Sequence, residues 1–205
     1  MIPSAAFFFA ALVLAITPGP GIAYVVARTA AGGRAEGLAS CAGTGLGGML
    51  HVGAAALGLS LVLAQSAAAF SVVKYVGAAY LVYLGIRLLA WRPAPARTRS
   101  VATGARGALL EGIVVEALNV KTALFFLAFL PQFLASESAV VLQLVVMGTV
   151  CVALNSLVDV GAVLGAERLL RSESSGRQRA RVLNRLSGIT LVGLGLYVAA
   201  SRRGA

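Results

Sequence analysis

Residues 5–27 read AAFFFAALVLAITPGPGIAYVVA, a stretch without an acid, a lysine or an arginine, interrupted by two prolines and two glycines between Pro18 and Gly21. About 20 apolar residues make one helical crossing of a bilayer core roughly 30 Å thick. The stretch is long enough to cross, but too strongly interrupted to cross as one straight helix. Pro18 and Pro20 have no N–H, so the carbonyls of Leu14 and Ile16 lose their usual helical partners. In hydrocarbon those carbonyls must find other protein, water or an ion. Thr17-Pro18-Gly19-Pro20-Gly21 therefore reads as a local unwinding at membrane depth, with backbone available to a ligand. A packing kink is the blander reading, since Pro and Gly are common in membrane helices. The run is too long, and too poor in preceding basic residues, for a cleaved leader.

Five more apolar stretches follow, at about Leu38–Ala64, Ala68–Leu89, Ala108–Leu134, Val140–Gly165 and Leu183–Ala200. The last is the weakest, shortened by Asn184, Arg185 and Ser187. Hydrophobic residues make up 59% of the 205 and charged residues 12%, about half the charge of a soluble domain. The chain reads as an all-α polytopic membrane protein. Two cysteines and one histidine exclude a disulfide framework and a cysteine- or histidine-rich metal site. The formal charge of +10 comes from short basic clusters between apolar segments, which fits membrane orientation rather than nucleic acid. No phosphate-binding loop of the Walker type is present, so ATP does not drive the protein directly. No cofactor is expected.

The basic clusters alternate. Arg28 and Arg34 follow the first span, Arg92, Arg97, Arg99 and Arg106 the third, and Arg168, Arg171, Arg177, Arg179 and Arg181 the fifth, while the loops around Gln65–Ala67 and Ala135–Ala139 have neither Lys nor Arg. The positive-inside rule places the three basic loops in the cytoplasm and the N-terminus outside. Arg202 and Arg203 are discordant, so five spans remain open beside six. Three spans per half give the halves opposite orientations: repeat one at about 1–91, a basic linker at 92–107 and repeat two at about 108–205, within one transmembrane domain. Each half interrupts its first span and spaces glycines in its last, Gly77 to Gly85 and Gly188 to Gly195. Secondary transporters built from inverted repeats place their sites at the repeat interface.

Polar groups at membrane depth nominate the site. Glu116, Asn119 and Lys121 sit in the fourth span, where insertion scales put a central charge at about 2.5–3.5 kcal/mol, so each needs a compensating role or partner. Glu116 and Lys121 are five apart, roughly 140° around an ideal helix, and meet directly only if that helix is distorted. Cys151, Asn155 and Asp159 share one face of the fifth span. Asp159 either meets Lys121 or titrates alone, as a proton-coupling carboxylate would. Gly43, Gly47 and His51 share a face of the second span, with the glycines as a packing face. His51 is then a proton relay or a satisfied hydrogen-bonder. Lys74 and Arg87 lie nearer the ends of the third span, where they snorkel. The aromatics Phe7–Phe9, Phe125, Phe126 and Phe129 read as lipid or packing contacts.

With these residues in place the sequence resembles the LysE/RhtB family of bacterial amino-acid exporters, the L-lysine and homoserine/threonine exporter type, over about residues 5–200. The resemblance rests on Thr17-Pro-Gly-Pro20, Gly33-Arg34-Ala-Glu-Gly37-Leu38, the Gly43/Gly47/His51 spacing, Gly77-Ala-Ala-Tyr80-Leu-Val-Tyr-Leu-Gly85, Leu118-Asn-Val-Lys-Thr-Ala-Leu-Phe-Phe126 and Leu130-Pro-Gln-Phe133. The family usually has Asn or Asp after Pro-Gly-Pro, where this chain has Gly21, and Asn-Pro-Lys in the fourth span, where it has Asn119-Val120-Lys121. Lacking that second proline, the chain puts its fourth-span break in doubt.

The resemblance implies six helices in a three-plus-three inverted repeat in the bacterial inner membrane. It also implies export of amino acids or related metabolites by proton antiport, with no enzymatic activity. Joined to the residues, it implies a substrate site at Pro18, Gly19, Pro20, Asn119 and Lys121, with Asp159, Glu116 and His51 as proton-coupling groups and no metal. The expected partners are a small-molecule substrate (an amino acid) and membrane lipid; glycine-rich faces permit a homodimer without requiring one. Two other readings stand beside this one. An inorganic-cation exporter or channel would use the oxygens of Glu116, Asn155 and Asp159, and a membrane thiol relay would use Cys41 and Cys151.

Overall fold

The computed structural model describes residues 4–59, 67–90, 102–134 and 139–170, with 185, 188, 189, 191–193, 195, 196, 199 and 200 from the last span. Helix α1 covers Ala5–Ile16, its N-cap Ser4 accepting from the Phe7 N–H at 3.3 Å. Helix α2 covers Pro20–Ala54 and runs into a π-helical turn at Ala55–Leu59. Helix α3 is Ala67–Leu89, α4 Gly104–Ala117 and α5 Val120–Phe129, the last followed by a 3₁₀ turn at Leu130–Phe133. Helix α6 is Val140–Leu170. The basic residues Arg92, Arg97, Arg99, Arg171, Arg177, Arg179, Arg181, Arg202 and Arg203 lie outside the described residues, as does most of both loops that lack basic residues.

Helix α2 is two passes rather than one. Gly33 adopts φ 73° and ψ −167°, a backbone state open to glycine because it has no Cβ. A straight helix would separate Gly21 from Thr44 by about 34 Å. Instead, a Cβ on Gly21 would sit 4.0 Å from Thr44 Cγ2, and Gly37 packs on the Thr29 hydroxyl. The chain thus folds back at Gly33 into an antiparallel hairpin that joins the first expected span to the second.

Small residues set the remaining packing, as close helix approach in membranes requires. The outer arm of α2 runs parallel to α4: Gly43 meets the Leu109 carbonyl and Gly112, and a Cβ on Gly47 would lie 2.7 Å from the Ile113 carbonyl. That arm runs antiparallel to α6, with Gly48 on Val152, Gly45 on Ser156 and Gly37 on Val163. Within the last span, Gly188 packs on Gly85 and Leu89, and Gly195 on Ala78 and Val82. The described residues between 185 and 200 are helical and lie antiparallel to α3. The first expected span thus meets the fourth, the second the fifth and the third the sixth.

By length and composition, Val140–Gly165 crosses a membrane unaided. Two bent pairs, Ala5–Ile16 with Pro20–Gly58 and Gly104–Ala117 with Val120–Phe133, also qualify, each bent by 45°. Large apolar side chains face outward along these helices, including Phe9, Leu57, Leu118, Leu142 and Leu157, as a lipid-facing surface requires. Inside, Phe7, Phe125, Phe126 and Phe129 are buried, with Phe125 and Phe129 stacked at 4.7 Å. Phe8 and Phe9 are exposed, so the aromatics divide between packing and lipid. Lys74, expected to snorkel, is instead buried, its ammonium 4.8 Å from the Tyr75 ring centroid.

Candidate functional site

The two bends face each other, and Lys121 joins them. At the first, α1 ends on Thr17, whose N–H and hydroxyl both donate to the Val13 carbonyl at 3.1 and 2.6 Å. Thr17 and Gly19 are extended, and Pro20 begins α2 as its first helical residue, a position proline suits because its missing N–H has no helical use there. The Leu14 carbonyl, deprived of a partner by Pro18, accepts from Lys121 Nζ at 3.3 Å, and the Thr17 carbonyl accepts from the same ammonium at 3.0 Å. Gly19 makes the approach feasible: a Cβ there would lie 3.0 Å from Nζ. The carbonyl predicted to be free is thus satisfied from the other half of the chain.

The second bend forms without a proline. Helix α4 ends at Ala117, and Asn119 turns extended at φ −76° and ψ 96°. Its Oδ1 caps α5 by accepting from the Lys121 N–H at 3.1 Å, while its Nδ2 donates to Glu116 Oε2 at 2.9 Å. Thr122 donates to Glu116 Oε1 at 2.6 Å. Asparagine is a strong N-cap because its side-chain oxygen satisfies an otherwise orphaned N–H. The break that Val120 put in doubt is therefore present, supplied by a cap rather than by a missing donor.

Glu116 and Lys121 do not pair directly. The carboxylate is held by Asn119 and Thr122, the ammonium by two carbonyls. His51 donates through Nε2 to the Glu116 carbonyl at 2.7 Å and sits edge-on to Phe126. Asp159 is buried on α6 and accepts from the Thr44 hydroxyl at 3.0 Å. Gly21, the other departure, leaves room for the Glu116 carboxylate: a Cβ on it would lie 2.9 Å from Oε2.

Two cavities flank this junction and share Asn119 and Lys121 in their walls. One, of about 20 Å³, has Thr44, Glu116, Thr122, Asn155, Ser156 and Asp159 among its lining residues. The other, about 310 Å³, is lined by Pro18, Gly19 and Pro20 together with Tyr80, Leu84 and Arg87 of α3. The five residues expected to bind substrate all line the second cavity, and the two carboxylates line the first. His51 lines neither. Among the described residues no group of three or more His, Cys, Asp or Glu is arranged to hold a metal. Cys41 and Cys151 are free, buried and in separate apolar clusters.

Sequence reading missed the polar ties on the Gly33 side of the junction. Tyr24 donates to the Ala108 carbonyl at 2.7 Å and to Glu111, and Arg28 makes an ion pair with Glu111. Glu36, buried, accepts from the Gly104 N–H at 2.6 Å at the start of α4. An acid at position 111 within a span was the available signal for the first. Nothing local marks Gly104 as the partner of Glu36, because a backbone N–H carries no sequence signature.

Fold and junction together define a polytopic helical membrane protein with polar groups gathered where two interrupted helices meet. The chain belongs to the LysE type translocator family, whose model matches residues 12–202; it is a transporter, not an enzyme. It is 30% identical over 202 residues to the homoserine/homoserine lactone efflux protein of Salmonella typhimurium, covering 96% of each chain. An uncharacterized membrane protein of Vibrio cholerae is also 30% identical, over 200 residues and 96% of each chain. The leucine efflux protein of Salmonella choleraesuis is 25% identical over 130 residues, 62% of this chain and 61% of that one. No solved structure matches.

Proposed function

We propose that the chain exports amino acids or closely related metabolites from the cytoplasm by proton antiport, as a single transmembrane domain of two inverted repeats in the bacterial inner membrane. The observation that carries the reading is the ammonium of Lys121 seated on the Leu14 and Thr17 carbonyls of the opposite interrupted helix. Broken helices at a repeat interface are where secondary transporters bind substrate, and an ammonium held there by backbone carbonyls is a donor that polar groups of a substrate can engage. The efflux relatives support the direction of transport, and the pairing of each span with its counterpart supports the repeat. With the basic loops cytoplasmic, the N-terminus is outside.

In this reading Pro18, Gly19, Pro20, Asn119 and Lys121 form the substrate wall, with Asn119 supplying amide hydrogen bonds. Asp159 and Glu116, in the polar cavity behind that wall, take up and release the coupled proton; His51 acts on Glu116 through its carbonyl. Binding of substrate on one side and a proton on the other is linked because both meet at Asn119 and Lys121. The test is efflux from cells preloaded with dipeptides, with released amino acids profiled by mass spectrometry. Wild type should accelerate release of one or a few amino acids, and Lys121→Ala and Asp159→Asn should lose that release at normal membrane abundance. Variants that insert normally and export at wild-type rates would remove both residues from the mechanism.

A further inference from the structure

The larger cavity has a wall that the sequence did not nominate. Besides the Pro18–Pro20 bend, Asn119 and Lys121, its lining takes in Tyr80, Leu84 and Arg87 of α3, Leu191 of the last span and the partly exposed Val120. Two features decide what fits there. The described lining contains two cations, Arg87 and Lys121, and no acid, and Leu84, Val120 and Leu191 add aliphatic surface beside them. Lys121 already donates to two carbonyls, so a ligand reaching it must compete. Arg87 has no carboxylate partner among the described residues; its guanidinium stands 5.8 Å from the Tyr83 ring centroid. A guanidinium so placed offers a fork of donors that matches a carboxylate in two hydrogen bonds.

We infer that Arg87 is a substrate-binding residue that receives the carboxylate of the exported molecule, and that Leu84, Val120 and Leu191 select an aliphatic side chain over a hydroxylated one. The inference rests on the export reading above and narrows its substrate class. It also gives position 120 a purpose: Val120 is half exposed and lines this cavity, where an added hydroxyl would meet the substrate side chain. At about 310 Å³ the cavity is at the small end of small-molecule sites, in which a few polar groups fix the orientation of the ligand.

The experiment uses purified full-length protein in liposomes, with L-leucine and L-homoserine as labelled probes. Leucine should be transported with the lower KM. Arg87→Gln should raise that KM about tenfold or more, as loss of a charge-assisted contact does, with kcat within about twofold and Arg87→Lys intermediate. Val120→Thr should move the preference several-fold toward homoserine. Homoserine preferred by the wild type, or an unchanged KM in Arg87→Gln, would overturn the inference while leaving amino-acid export standing. A response of both Arg87 variants that follows the anionic lipid content of the vesicles, at constant KM, would assign Arg87 to headgroups and overturn it too. Absence of transport of any amino acid would count instead against the export reading.

Discussion

The first and fourth passes bend by the same 45°, yet they do so by opposite chemistry. Pro18 and Pro20 subtract hydrogen-bond donors and leave carbonyls looking for partners. Asn119 adds an acceptor and supplies the cap a new helix start needs. The subtraction frees the Leu14 carbonyl, and the ammonium of Lys121, delivered at the first turn of α5, bonds it together with the Thr17 carbonyl. The lesson is that the two halves are complementary at their breaks rather than copies. One presents acceptors, the other a donor, and Gly19 is the gap through which they meet.

Lys121→Met strikes that complementarity hardest. Each buried carbonyl left without a donor costs about 1–3 kcal/mol, so loss of two contacts should lower stability by about 3 kcal/mol and abolish export. Thermal unfolding in detergent, read beside the efflux assay, checks both. Export lost at unchanged Tm would mean that the ammonium serves the substrate and not the junction. Asn119→Ala comes next: without its cap, which is worth about 0.5–2 kcal/mol, and its hydrogen bond to Glu116, stability should fall by about 2 kcal/mol and export about tenfold. Asn119→Asp keeps the cap but sets a carboxylate against Glu116. If it matches wild type, the Nδ2 contact contributes nothing.

Gly47→Ala reaches the second break from outside. The new Cβ would meet the Ile113 carbonyl at 2.7 Å and Glu116 Cβ at 2.8 Å, and backbone cannot yield as a flexible side chain can. Overpacking of this kind costs typically 1–3 kcal/mol, so a loss of about 1–2 kcal/mol is expected. Gly53, on the same arm with nothing within 4 Å of its Cβ position, is the control. Gly53→Ala should be neutral or stabilise by up to about 1 kcal/mol through helix propensity. Equal losses at both positions would show that glycine serves flexibility along this arm rather than close approach.

The comparison also explains what the sequence could disclose. Missing donors are visible in a sequence: Pro18 and Pro20 announce a break and name the Leu14 carbonyl as unsatisfied before any coordinates. The partner of that carbonyl was not legible, because neither a carbonyl nor an ammonium specifies the other. The geometry that brings residue 121 to residue 14 exists only once the helices pack. Charges at membrane depth marked Glu116, Lys121 and Asp159 for the same energetic reason, but their division between two cavities depends on packing. Thr44 and Thr122, which hold the two carboxylates, were overlooked because hydroxyls are too common in helices to stand out. Arg87, read from its distance to the span end as an interfacial residue, is exposed in the structure, and only packing shows that it also borders a cavity.

Val120→Pro should have the smallest effect and is the sharpest check on how the second bend is built. Position 120 is the first residue of α5, where a helix does not use the N–H and proline's fixed φ is already suitable. A residue before proline must be extended, and Asn119 already is, at ψ 96°. The substitution should therefore fold normally, with stability between unchanged and about 1 kcal/mol higher, because proline narrows the unfolded ensemble. Unfolding midpoints of the single variant and of Asn119→Ala/Val120→Pro test this together. If proline recovers about half of the Asn119→Ala loss, the cap and the missing donor are interchangeable means to one bend. If Val120→Pro alone destabilises by more than about 1 kcal/mol, the N–H of Val120 has a partner that the cap-based account omits, and the two breaks are less equivalent in shape than their common angle indicates.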